Sequence, residues 1–174
     1  SGTLLTTSNC LLNTNRNPLL SKGQIENVLK TSFGSKSIIW LNYGNIQGDD
    51  TDSHVDNLAR FCNEHTIAYA IDASNELIAL EKELKKKIDS EKFNLIPIPL
   101  PNPIIFKNRK LPASYLNFLI TNKKVLIPIF KDKNDSLVLE IFKNIFVGRE
   151  VVGIDCNALV KQNGSLHCIT MQLS

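Results

Sequence analysis

The sequence has no run of about 18 apolar residues, so no membrane-spanning helix is expected. It has no C-x-x-C pair. Cys10, Cys62, Cys156 and Cys168 stand far apart in a chain that is neither small nor Cys-dense, which reads as reduced thiols in a cytoplasmic protein. It has little charge excess. The net charge is +3, and the basic residues fall in short clusters, at 82–87 and 107–110, with few aromatics between them. Such clusters read as solvated faces and argue against a nucleic-acid partner. No secretory signal opens the sequence, and its abrupt start reads as truncated. What remains is 174 residues, 43% hydrophobic and 21% charged. That is one domain with enough apolar side chains for a packed core.

Hydrophobic periodicity organises the chain. Residues 1–9 read as a strand and 13–18 as a loop. A helix is expected over 21–33, capped by Ser21, with Ile25, Val28, Leu29 and Phe33 as its apolar face. Residues 36–42 read as a buried strand. From residue 57 one pattern occurs twice. Two strands surround a turn at 63–65, an amphipathic helix spans 74–88 with Leu77, Leu80, Leu84 and Ile88 on one face, and a strand follows at 93–101. Two strands then surround 122–124, a helix spans 134–146, and a strand closes at 149–155. The order strand, strand, helix, strand thus repeats, with an incomplete unit before it and a further strand opening at 165–173. Repeated units that cannot bury their own faces suggest a radial or stacked α/β architecture. The Pro-bounded stretch 101–112 reads as a surface loop.

Two stretches could carry chemistry. Residues 49–57, DDTDSHVDN, hold four carboxylates and one imidazole between Asp49 and Asp56. They read either as a polar turn or as part of an active site; the EF-hand spacing fails. His54 and Asp56 are two apart at what reads as a strand start, which would put both on one face as a tunable acid–base pair. Residues 163–172, NGSLHCITMQ, place Cys168 just after a Gly-Ser turn. It reads either as a small core residue or as a thiolate nucleophile served by a distant histidine. On a strand, His167 would point away from Cys168. His65 reads as surface, and Cys62 and Cys156 as core. A zinc site from Cys156, His167 and Cys168 fits no common ligand spacing.

Residues 40–61, WLNYGNIQGDDTDSHVDNLARF, closely resemble the agmatine deiminase signature, W-L-x-x-G followed by D-D-T-D-G-H-x-D-N. Residues 2–18, 111–122 and 151–170 resemble three further blocks of that family in the same order. The family also includes the bacterial type of peptidylarginine deiminase. The resemblance implies a pentein: five strand-strand-helix-strand modules around a pseudo-fivefold axis. It implies cofactor-free, metal-free hydrolysis of a guanidino group, with agmatine and water giving N-carbamoylputrescine, a polyamine precursor, and ammonia. By position Cys168 matches the nucleophile, His54 the general acid–base, Asp56 the carboxylate that grips the guanidinium, and Asp50 an acidic residue near substrate.

The match departs from the family in two residues and in length. Ser53 stands where the family has Gly, and Met171 where it has Gln. The resemblance covers about three of five modules, without the W-x-R-D-x-G-P segment and the Glu-Gly-Gly stretch. Residues 1–174 therefore read as the C-terminal portion of a single pentein catalytic domain. The expected partners are a small guanidino substrate, the N-terminal half of the same protein and a second copy in a homodimer. The competing readings are an enzyme acting on arginine in peptides and an inactive interaction module.

Overall fold

A computed structural model describes residues 2–88 and 92–171. The expected fourth-unit segment 165–173 therefore lies partly outside the described residues. The chain opens with strand β1 (Thr3–Thr7), whose last residue caps the single turn α1 (Ser8–Leu11). Helix α2 (Lys22–Phe33) follows. Ser21 caps it in a reciprocal box with Gln24, and Gly34, left-handed at φ +62°, ends it. Strand β2 (Ser37–Leu41) then returns parallel to β1, from Thr3 opposite Ser37 to Thr7 opposite Leu41.

The next unit is complete. Strands β3 (Ala59–Asn63) and β4 (Thr66–Ile71) pair antiparallel, helix α3 (Asn75–Lys87) crosses over, and strand β5 (Asn94–Pro99) lies parallel to β4. Its counterpart is strand β8 (Leu119–Ile120), β9 (Lys124–Ile129), helix α4 (Asp135–Ile145) and β10 (Glu150–Asp155), with β10 parallel to β9. Both units have the expected order, and both sheets run edge, centre, edge as β3-β4-β5 and β8-β9-β10. Antiparallel strands close through a short turn, whereas a parallel return needs a crossover helix. The apolar face of α3 is as expected, since Leu77, Leu80, Leu84 and Ile88 are all buried. Burying such side chains is worth about 1.5–3 kcal/mol each, enough to hold a helix otherwise rich in Lys and Glu. One contiguous core takes residues from every unit, including Leu5, Leu41, Leu80, Ile98, Phe118 and Phe142.

Two expectations fail here. The apolar face of α2 is mostly uncovered: Ile25 is buried, but Val28 is 54% and Phe33 71% exposed. α2 meets β2 through Trp40, whose Nε1 donates to Glu26 at 2.8 Å, and among the described residues the sheet of β1 and β2 has only two strands, about 10 Å of width. The surface loop over 101–112 contains a hairpin, β6 (Ile104–Phe106) with β7 (Arg109–Leu111). Its two-residue turn, Lys107 and Asn108, has φ of 49° and 59°, the primed-turn geometry that matches strand twist. Among the described residues no helix is long and apolar enough to cross a membrane.

Candidate active site

The loop after β2 is shaped by its own carboxylates. Gly48 has φ +99°, and a Cβ there would lie 2.1 Å from the Lys110 carbonyl oxygen, so the loop passes against the backbone of β7. The Asp49 carboxylate then accepts from Thr51 N (3.0 Å), Thr51 Oγ1 (2.6 Å) and Ser53 N (2.8 Å). This ties the chain into a tight Asx-type turn. Asp52 and Ser53 are both left-handed, at φ 61° and 63°. That accounts for a glycine at position 53 in the related signature, and Ser53 carries the backbone cost of a side chain there. Thr7 Oγ1 donates to the Ser53 carbonyl at 2.7 Å, fixing the turn to the end of β1. Asp52 faces outward, 3.6 Å from Arg16.

His54 and Asp56 do not start a strand. Val55–Asn57 form one 3-10 turn, with His54 as its N-cap. Even so, both side chains line one cavity of about 400 Å³, together with Asp50, Asn163, Gly164 and Cys168. Asp50 is exposed at its rim and accepts from Asn163 Nδ2 at 2.6 Å, which joins this turn to the one carrying Cys168.

Cys168 is likewise not on a strand. His167–Ile169 form a 3-10 turn. The peptide N–H groups that a strand would use for pairing are captured by Asn117: its Oδ1 accepts from His167 N at 3.0 Å and from Cys168 N at 3.2 Å. Gly164 allows the approach, since a Cβ there would sit 3.1 Å from Cys168 Cβ. The expected strand therefore fails, and His167 and Cys168, which line different cavities, meet at one carboxylate oxygen. His167 Nδ1 lies 2.8 Å from Asp56 Oδ2, and Cys168 Sγ lies 3.7 Å from the same oxygen.

Asn117 joins these groups, and the sequence reading passed over it. It is fully buried, and its Nδ2 donates to Asp56 Oδ2 at 3.0 Å and to Cys168 Sγ at 3.1 Å. The available signal was a lone amide inside the apolar run SYLNFL. Arg60 was also missed. Its Nη1 donates to the carbonyls of Leu116, at 3.2 Å, and Phe118, and the guanidinium lies 4.3 Å from the Phe118 ring centroid, so it clamps the segment that presents Asn117.

Electrostatics separates the groups. Burial alone would raise the Asp56 carboxyl. The His167 hydrogen bond and charge, with Arg60 and His54, bring it below the usual carboxylate range, so it stays ionised. The Cys168 thiol is pushed up, first by burial and then by Asp56, against lowering contributions from a Ser165 backbone hydrogen bond and Asn117. Cys168 is nevertheless the exposed cysteine, whereas Cys62 and Cys156 are buried and Cys10 half-buried. Burial pushes Cys62 up to about 12, which leaves it an inert core thiol. His65 is exposed, as expected. Two buried polar atoms around the cavity have no hydrogen-bond partner, Asp56 Oδ1 and His54 Nε2. An anionic acceptor, an imidazole nitrogen and a reachable thiol thus converge on one space. Such a set can bind a planar cation and attack it. Among the described residues no group of three or more His, Cys, Asp or Glu is placed to hold a metal ion.

Comparisons with known proteins place the chain in a family. A family model described as Porphyromonas-type peptidyl-arginine deiminase matches residues 1–174. A protein of Vibrio parahaemolyticus described as "Putative agmatine deiminase" is 32% identical over 197 residues, covering 99% of this chain and 54% of its own length. One of Lactococcus lactis with the same description is 34% identical, covering 98% and 53%. Among solved structures, a Cys-to-Ser variant of C. jejuni agmatine deiminase with substrate bound superposes with a TM-score of 0.91 at 42% identity, over 96% of this chain and 51% of that one. The agmatine deiminase of Enterococcus faecalis superposes with a TM-score of 0.88 at 30% identity, over 99% and 54%. An amidinotransferase from Microseira wollei, 15% identical with a TM-score of 0.54, shares the fold alone. The chain spans about half the length of the relatives it matches.

Proposed function

We propose, from the premise that this chain belongs to the Porphyromonas-type peptidyl-arginine deiminase family and has its mixed α/β pentein fold, that it carries the nucleophile, the acid–base and one guanidinium-binding carboxylate of a guanidine hydrolase. The substrate is agmatine, and the products are N-carbamoylputrescine and ammonia. The observation that carries this reading is that Asp56, His54 and Cys168 line one cavity, with Asp56 Oδ1 and His54 Nε2 left without a hydrogen-bond partner inside the protein. Agmatine is preferred to an arginine side chain because two of the solved structures named above are described as agmatine deiminases, one of them with substrate bound.

The chemistry follows from the guanidinium itself. Resonance spreads its charge and makes its carbon a poor electrophile. Asp56, with Asp50 at the rim, grips the nitrogens, orients the carbon and localises the charge. The arriving cation also favours the Cys168 thiolate, which offsets the raised thiol. His54 takes the thiol proton, and the sulfur pair forms a bond to the guanidinium carbon. The tetrahedral adduct collapses as His54 returns that proton to one nitrogen, breaking the C–N bond and releasing ammonia. The amidino group is left on Cys168. His54 then takes a proton from water as its oxygen attacks the same carbon. Collapse breaks the C–S bond and returns the electron pair to sulfur, which recovers its proton from His54, while the hydroxyl proton of the adduct passes to the released ammonia or solvent as the ureido C=O forms. No cofactor takes part in these steps.

The proposed partner is the N-terminal half of the same protein, because the chain spans about half the length of its relatives. The three-unit chain is then the C-terminal portion of one catalytic domain. The test combines this chain with that half and measures ammonia release from agmatine, arginine and an arginyl peptide. The expected result is release from agmatine, lost in Cys168→Ala, with mass spectrometry finding an adduct on Cys168 after a slow amidine substrate. Ammonia release surviving Cys168→Ala would sink the assignment of the thiol.

A further inference from the structure

The two oxygens of Asp56 are treated unequally. Oδ2 takes three contacts: His167 Nδ1 at 2.8 Å, Asn117 Nδ2 at 3.0 Å and Cys168 Sγ at 3.7 Å. Oδ1 is buried and takes none. A carboxylate rotates about its last torsion over a broad two-fold well, so something must hold Asp56 in this orientation beside Cys168. The shortest of the three contacts comes from His167. Its backbone N is held at 3.0 Å by Asn117 Oδ1 and at 3.2 Å by the Asn117 carbonyl, which places the ring independently of Asp56. The ring also approaches from the other side. His167 lines a second cavity of about 690 Å³, with Arg60, Arg149 and Thr170, whereas Cys168, His54 and Asp50 line the first.

We propose that His167 is a positioning residue of the site: its Nδ1–H donates to Asp56 Oδ2, fixes the orientation of the carboxylate beside Cys168, and draws the Oδ2 charge away from the Cys168 sulfur. The inference rests on the roles given above to Asp56 and Cys168. Nδ1 is thereby the donor nitrogen, and Nε2 is left to the rear cavity. The charged groups near His167 are Asp56 from the 3-10 turn, Arg60 from β3 and Arg149 at the start of β10. Those near Cys168 are Asp56, His54, Asp50 and Arg60. Asp56 and Arg60 are common to both sets, and Asp56 Oδ2 is the atom in contact with both His167 and the thiol, so the effect of His167 on the thiol passes through it.

The test is alkylation of Cys168 by iodoacetamide across pH, read peptide by peptide in the full chain, with Cys10 as the internal comparator. Without the Nδ1 donor the charge on Oδ2 weighs more heavily on the thiol. His167→Leu should therefore slow Cys168 alkylation at pH 8 by about three- to tenfold and move its midpoint to higher pH, with Cys10 unchanged. In His167→Asn the amide donor overlays Nδ1, so the rate should stay within about twofold of the parent; in His167→Gln the amide sits nearer the Nε2 position, and the rate should fall as for Leu. Parent-like alkylation of His167→Leu, or an Asn variant as slow as the Gln variant, overturns the proposal. If His167→Leu unfolds, seen as reaction at Cys62 and Cys156, the Asn and Gln variants decide it alone. Alkylation needs no turnover, so a chain that deiminates nothing would refute the reaction without touching this result.

Discussion

Asn117 Nδ2 stands 3.0 Å from Asp56 Oδ2 and 3.1 Å from Cys168 Sγ, so one buried amide bridges two turns 112 residues apart. Its orientation is set by its other end, because Oδ1 faces the N–H groups of His167 and Cys168 and can only be the acceptor.

Removing that amide should damage both stability and chemistry. Asn117→Ala removes the side-chain acceptor of the Cys168 N–H and one of two acceptors of the His167 N–H, and takes one donor from Asp56 Oδ2. The expected cost is about 2–4 kcal/mol by urea unfolding. In the complemented enzyme kcat should fall on the order of 100-fold, because Cys168 and Asp56 lose their common reference. A variant that unfolds at the parent's urea midpoint would show that the amide holds nothing.

The raised Cys168 thiol gives a pH signature. Alkylation follows the thiolate, so it should increase with pH and reach its midpoint above the value for an ordinary thiol, about 8.5. Asp56 is one of the groups raising it. Asp56→Asn removes that negative charge, favours the thiolate and should shift the alkylation profile to lower pH. An unchanged profile would mean that burial alone sets the thiol.

Two backbone positions in the site loop predict opposite signs. Gly48→Ala puts a Cβ 2.1 Å from the Lys110 carbonyl at φ +99°, and backbone cannot yield as a side chain does. It should cost about 3 kcal/mol or more. Ser53→Gly relaxes a left-handed residue and should raise stability by about 0.5–1 kcal/mol. Both are read from unfolding midpoints, and equal effects would contradict the loop geometry.

Glu83 supplies a pH-dependent anchor between α3 and the end of β2. It is nearly buried and accepts from Asn42 N (2.8 Å), Asn42 Nδ2 (2.6 Å), Tyr43 N (3.3 Å) and Lys87 Nζ (2.7 Å). Burial alone would raise its carboxyl, but Lys87 and the peptide N–H groups bring it below the usual range. A carboxyl depressed on folding contributes fully above its unfolded value, about 4.5, and the contribution is lost as pH falls through the folded value. Glu83→Gln should therefore cost about 1–3 kcal/mol at pH 7. The gap to the parent should narrow below about pH 4. A gap that stays constant with pH would exclude the ionised form as the source.

The repeated strand-strand-helix-strand units were legible because each rests on local periodicity. The continuous apolar runs of the central strands β4 and β9 and the Leu77–Leu80–Leu84 stripe mark a strand buried on both faces and a helix buried on one. The uncovered face of α2 was not legible, because its periodicity is the same whether two strands or four lie beneath it. The hairpin at 104–111 was hidden by its bounding prolines and by a Lys-Asn turn without glycine.

The candidate site divides in the same way. Residue types and their resemblance to a family marked Cys168, His54, Asp56 and Asp50 from the chain alone, since a guanidine hydrolase needs a thiol, an imidazole and carboxylates whatever holds them. Only the tertiary structure brought in Asn117, Arg60 and His167 and turned the expected strand at 167–169 into a 3-10 turn. The physical reason is that Asn117 takes the peptide N–H groups a strand would have paired. A hydrogen bond between positions 51 residues apart leaves no periodicity in either segment.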